Sequence, residues 1–198
     1  MMTAIRSFIA IELPGEIQAR LNRIINQMKP ELTGAVRWTP PGNIHLTIKF
    51  LGDVSPSNLE ILIRVLQSLS SKQAEFEIKI GKIGAFPSIK RPRVIWVGVE
   101  ASSALKALQQ TVENETKKLG YPTEDRPFSP HLTLGRVNHH AISEEISRIT
   151  ETLSSIQVDQ IGSFTVRHLT LFKSELKPGG AVYTPLLTTS FRQNHEVK

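Results

Sequence analysis

The chain of 198 residues contains no cysteine. This excludes disulfides, a thiolate nucleophile and cysteine-ligated zinc, and it fits a reducing compartment. No stretch approaches the roughly 20 apolar residues that cross a bilayer. The opening MMTAIRSFIAIELPGEI carries a single arginine and a short apolar run broken by Glu12 and Pro14. It is too short and too polar for a secretory signal, so a cytoplasmic location with no membrane contact is expected. A glycine-rich phosphate loop of P-loop or dinucleotide-binding form is also missing, which argues against ATP-driven chemistry. There is neither a serine elbow nor an HExxH sequence.

The chain is 39% hydrophobic and 21% charged, enough for a sizeable core in one domain or two small lobes. Lys and Arg number 24 against 18 Asp and Glu, a net charge of +6 and a pI near 9.7. That excess favours anionic partners such as nucleotides or RNA. The pattern His-Leu-Thr-aliphatic stands at His45-Leu46-Thr47-Ile48 and again at His131-Leu132-Thr133-Leu134. On a strand, residues i and i+2 share a face, so each motif shows a histidine and a threonine to one side and buries two aliphatic groups on the other. An imidazole titrates near neutral pH, so one copy can be an acid while the other is a base. Two hydroxyls beside them can hold an oxyanion. That set suits in-line attack at phosphorus.

Periodicity predicts a buried strand at 5–13 and a helix opened by Pro14, with Ile17, Leu21, Ile24, Ile25 and Met28 on one face. A loop is expected from Pro30 to Pro41, around Val36-Arg37-Trp38. The first motif strand follows at 44–51, then a helix from about Ser57 and a half-exposed strand at Phe76, Ile78 and Ile80. Gly84 to Pro92 reads as a loop and as the boundary between lobe halves of about 1–90 and 91–198. The order then repeats: a strand at 93–99, a helix capped by Ser102 or Ser103 and ended by Gly120, the motif strand at 131–137, and a helix from Ser143. Strands are expected near 157–173 and 181–188, joined by a Pro178-Gly179-Gly180 turn. The motif histidines are 131 − 45 = 86 residues apart, and Ser57 and Ser143 are likewise 143 − 57 = 86 apart. The chain therefore reads as a degenerate duplication, with the motif strands meeting near a pseudo-twofold axis.

The paired His-x-Thr-x signature resembles that of the 2H phosphoesterases. The stretches RSFIAIELP, NIHLTIKFLG, PRVIWVGV, FSPHLTLGRV and LFKSELKPGGAVYTPL are similar to the bacterial and archaeal RNA 2′,3′-cyclic phosphodiesterases, also called 2′-5′ RNA ligases. The resemblance implies a single bilobal α+β domain, with two antiparallel sheets lining a central basic cleft and helices packed outside. It implies hydrolysis of RNA or nucleotide 2′,3′-cyclic phosphate ends to 2′-phosphomonoesters, with no metal and no cofactor; a monomer is expected. It also implies roles: His45 as proton donor near O3′, His131 as proton acceptor for the attacking water, Thr47 and Thr133 on the phosphate oxygens. Arg136 matches an arginine that helps hold the phosphate.

Parity alone turns Arg136 away from the face of 131, 133 and 135 unless the strand bulges. Lys49 has the parity to follow His45 and Thr47 into the cleft and attract phosphate, or to sit at the solvent edge. Phe50 and Tyr183 can stack on a nucleobase, although Phe50 has core parity. His139-His140 with Glu144 makes a poor metal site. His168, opening the apolar run LTLF, reads as structural, and His195 falls in a frayed tail. Two other functions are compatible with the sequence: a nucleotide- or RNA-binding module without turnover, and reversible 2′-5′ joining of RNA.

Overall fold

The structure is a computed structural model describing residues 4–158, 161–178 and 180–193. His195 and Gly179 of the expected turn lie outside the described residues. The chain runs β1 (Ile5–Glu12), α1 (Gly15–Met28), β2 (Val36–Trp38), a 3₁₀ turn (Pro41–Asn43), β3 (His45–Val54), α2 (Pro56–Ser70), β4 (Phe76–Ser88) and β5 (Arg91–Val99). It continues through α3 (Ser103–Lys117), β6 (His131–Val137), α4 (Ser143–Ser155), β7 (Gly162–Val166), β8 (His168–Lys177) and β9 (Gly180–Ser190). Among the described residues, no helix is long and apolar enough to cross a membrane.

The α+β architecture holds, and the two expected antiparallel sheets are halves of one. Strand order is β7-β4-β5-β6-β3-β1-β8-β9, with β2 added to β6. The halves join at one residue pair, Leu46 opposite Leu132. These are the residues between histidine and threonine in each motif, so the junction is the pseudo-twofold centre. The half-sheets are not the two halves of the chain. β4 pairs with β5 and β7, while β8 and β9 return to β1. Only Arg167 separates β7 from β8, which stand far apart in strand order. The sheet must therefore bend until those regions approach. Phe191 N donates to Arg167 O (2.7 Å) and Glu75 N to Arg192 O (3.0 Å), which ties the approach together.

Helices cover one sheet face: α2 lies against β8 and β9, α3 against β3 and β4, and α4 against β5. Ile9, Ile11, Leu46, Ile48, Leu132 and Leu134 point into that core. On the other face of β1, Phe8 and Ala10 form a small buried cluster with Phe172, and Tyr183 packs against it. β1 is covered on both faces, which is why it reads as a continuous apolar run.

Three local expectations are corrected. Val36–Trp38 is a strand, because β6 extends past its junction with β3 and offers a free edge that β2 fills. Gly84 to Pro92 is a β4–β5 hairpin rather than a loop. Pro87 and Pro92 oppose each other at a register shift, where a missing N–H breaks no ladder. Ser57 does not open α2. Ser55 does, accepting from Asn58 N at 3.2 Å. At α4 the N-cap is Ile142, and the Glu145 carboxylate accepts from Ile142 N (2.9 Å), so neither of the two serines at the matched spacing caps its helix.

Candidate active site

Both motif strands are entered from a proline-bearing segment, and in each the carbonyl two residues back meets the histidine. Asn43 O lies 2.8 Å from His45 Nδ1, and Ser129 O lies 2.7 Å from His131 Nδ1. A carbonyl oxygen only accepts, so each Nδ1 carries the proton and each Nε2 is left for another partner. Asn43 is itself fixed, its side-chain amide donating to Ala181 O at 2.9 Å. His45, Thr47, His131 and Thr133 are all half-buried and flank the Leu46–Leu132 pair on the face away from the helices.

The strands then do the same thing twice. β3 bulges at Ile48, between the pairs Ile9–Lys49 and Ala10–Thr47. β6 bulges at Leu134, between Ile95–Gly135 and Trp96–Thr133. Each bulge inserts one residue and reverses parity beyond it. Phe50 and Arg136 therefore face the same side as the histidines and are exposed, Phe50 by 60%. Lys49 and Gly135 turn inward. The parity expectations for Lys49 and Phe50 are thus both overturned, and the condition set for Arg136 is met. Lys49 is buried, its Nζ 2.7 Å from Glu113 Oε2 and donating also to the Pro122 carbonyl. Gln109 supports Glu113 from 3.2 Å. At Gly135 a Cβ would stand 2.8 Å from Val36 Cγ1 and 3.0 Å from Trp38, so a larger residue would force those side chains to shift.

The surroundings of the two imidazoles differ. His45 stacks on Phe8 (centroids 4.7 Å apart, 26° between planes) and meets the edge of Tyr183 (5.2 Å, 89°). Burial there pushes its pKa below the ordinary 6.5. The Asn43 carbonyl and the Glu12 carboxylate pull it up, and the nearby charge of His131 adds to the lowering. Glu12 is the cross-strand partner of His45 and takes a hydrogen bond from Thr170 Oγ1 (2.8 Å). Among the described residues, the aromatic neighbours of His131 are Phe86, nearly perpendicular at 4.9 Å, and Trp96, farther off at 6.4 Å. Trp96 lies over Gly84, where a Cβ would overlap its ring.

The space differs too. A cavity of about 150 Å³ abuts His45, lined by Glu12, Asn43, Phe172 and Tyr183 among others. A cleft of about 710 Å³ opens beside His131 and Thr47, walled by Phe50, Phe86 and Phe128 with Arg93 and Arg126. Parity and motif reading missed Phe8, Glu12, Phe86, Arg93 and Arg126; the arginines of the RPRV stretch were a visible signal.

His139 and His140 are exposed in the turn after β6. A third His-Leu-Thr-Leu stands at 168–171, which the sequence reading passed over. There His168 is exposed at the start of β8, so it is not a packed structural residue, and Thr170 is fully buried. The tetrapeptide alone does not make a site; the preceding carbonyl and the facing copy do.

The LigT-like phosphoesterase family model matches this chain twice, over residues 11–96 and 97–183. The RNA 2′,3′-cyclic phosphodiesterase of Methanothermobacter thermautotrophicus is 32% identical over 182 residues, covering 92% of this chain and 96% of that protein. A solved protein of Thermus thermophilus superposes with a TM-score of 0.81 at 28% identity, covering 96% of this chain and 100% of that one. E. coli LigT complexed with 3′-AMP superposes at 0.77 with 26% identity, covering 96% and 99%. With two matched repeats that together run from residue 11 to residue 183, the chain belongs to the LigT-like phosphoesterase family.

Proposed function

We propose that this protein hydrolyses 2′,3′-cyclic phosphate ends of RNA or nucleotides to 2′-phosphomonoesters, as a single bilobal domain and by proton transfer alone. The observation that carries this is the pair of histidines around one strand pair, each with Nδ1 held by a carbonyl and, among the described residues, no hydrogen bond at Nε2. Relatives about 30% identical over most of the chain bear the name RNA 2′,3′-cyclic phosphodiesterase. Water attacks phosphorus as His131 takes its proton. The P–O3′ bond breaks, and His45 delivers a proton to O3′. Thr47 and Thr133 donate to the non-bridging oxygens, where charge builds. Arg136 lends its charge to the bound phosphate, and Phe50 and Tyr183 offer faces for a base. Lys49 has a structural role instead, pairing with Glu113.

Two imidazoles account for both proton transfers, so no metal is required. The test is to incubate a nucleoside 2′,3′-cyclic phosphate with the protein, with and without a strong chelator, and resolve the products by chromatography. The expected result is 2′-phosphate at an unchanged rate. Predominant 3′-phosphate would reverse the donor and acceptor. Loss of activity restored by a divalent metal would sink the mechanism, and no turnover at all would leave a binding module.

A further inference from the structure

Arg37 of β2 and Arg136 of β6 stand directly opposite each other in an antiparallel pair, with Cα atoms roughly 4.5–5.5 Å apart. Both are exposed. Like charges in this position destabilise a strand pair. No described carboxylate relieves them, since neither arginine takes part in an ion pair. β2 has three residues, and its central one spends its side chain on this opposition.

The position of the pair gives it a use. The bulge at Leu134 returns Arg136 to the face of His131 and Thr133. Three residues at about 3.3 Å each put it at most ~10 Å beyond Thr133 along the strand. Arg136 is also opposite Val94, which lines the large cleft. Arg136 thus stands next to that cleft, and Arg37 lies beside Arg136 on its far side from β5. A guanidinium fork matches a phosphate, and an anion between two of them removes their repulsion.

We propose that Arg37, acting with Arg136, binds the phosphodiester one nucleotide upstream of the cyclic end, so that the site selects RNA strands over free cyclic nucleotides. The inference rests on the hydrolase reading above and adds a second anion subsite to it.

The test compares wild-type protein with Arg37→Ala and Arg37→Lys. The substrates are a 2′,3′-cyclic mononucleotide and a short oligonucleotide ending in the same cyclic nucleotide, assayed across a salt series. Arg37→Ala should lower kcat/KM on the oligonucleotide about tenfold, mainly through KM, the size of one lost charged hydrogen bond. It should also reduce the salt dependence by about one counterion. The mononucleotide should change less than twofold, and Arg37→Lys should restore part of the loss. Removing one of two opposed charges should leave Tm at or above that of the wild type, which separates this effect from misfolding. Equal losses on both substrates would assign Arg37 to the reacting phosphate and overturn the inference, as would an unchanged oligonucleotide rate. A parallel binding titration with a 2′-phosphate-ended oligonucleotide keeps the two readings apart. If the wild type turns over neither substrate yet Arg37→Ala weakens that binding, the hydrolase reading fails and the subsite stands.

Discussion

The His45 half of the site and the His131 half share a backbone plan but not an environment. Each has a carbonyl-held imidazole, a threonine two residues on, and a bulge after the next aliphatic residue. Around that plan, the first half packs Phe8, Phe172 and Tyr183 against its histidine and leaves about 150 Å³. Beside the second histidine a cleft of about 710 Å³ opens, walled by residues of both halves, with arginines at its margin. Duplication gives two imidazoles the same backbone hold. Divergence of the neighbours makes them unequal, and an asymmetric substrate requires that inequality. The inward-turned residue shows the same split: a lysine neutralised by Glu113 in one half, a bare glycine under Trp38 in the other.

The largest expected effect probes the shared plan. His45→Ala and His131→Ala should each reduce kcat/KM by about 10² to 10⁴, and the double variant should lose far less than the product of the two. Steady-state kinetics on a cyclic nucleotide checks this. Full activity in either single variant would show that the halves are alike in shape only.

The next effect is on stability. Removing Lys49 strands a buried carboxylate, so Lys49→Ala should destabilise by about 3–5 kcal/mol in denaturant unfolding. Lys49→Met combined with Glu113→Leu should recover most of that loss. Gly135→Ala, at the matching position, should cost about 1–3 kcal/mol by overpacking. If Lys49→Ala left stability intact and lowered only kcat/KM, Lys49 would belong to substrate binding after all.

Phe50 is largely exposed, so Phe50→Ala should barely change stability. It should weaken substrate by about 1–3 kcal/mol if a base stacks there. Measured as KM, an unchanged value would take Phe50 out of the site.

The smallest effect concerns pH. In the proposed role of proton donor, His45 must be charged, and its charged fraction falls as pH rises through its pKa. Burial lowers that pKa from 6.5, so the alkaline limb of kcat/KM should lie below that of an ordinary imidazole. A bound phosphate favours the charged form, which should move the kcat limb higher. Phe8→Ala lets water reach His45 and should shift the kcat/KM limb upward. A limb that stays in place would mean that Phe8 is not what desolvates His45.

Much of this was legible in the chain. The two His-x-Thr pairs, the helix faces, Ser102 as a cap and the α+β duplication all follow from spacing and periodicity, which are local. The amino-acid order also sufficed to bring Tyr183 into consideration, although its contact with His45 is made across the sheet by β9. What the sequence could not yield was everything that depends on register. Bulges at Ile48 and Leu134 reverse which side chains face the cleft, and a bulge is a relation between two strands rather than a property of one. For that reason Lys49 and Phe50 exchanged places and Arg136 returned to the face of the histidines; its pairing with Arg37 between β2 and β6 is likewise a matter of register. The same tetrapeptide at His168 became part of a support for Glu12, because β8 meets β1 where no second copy faces it.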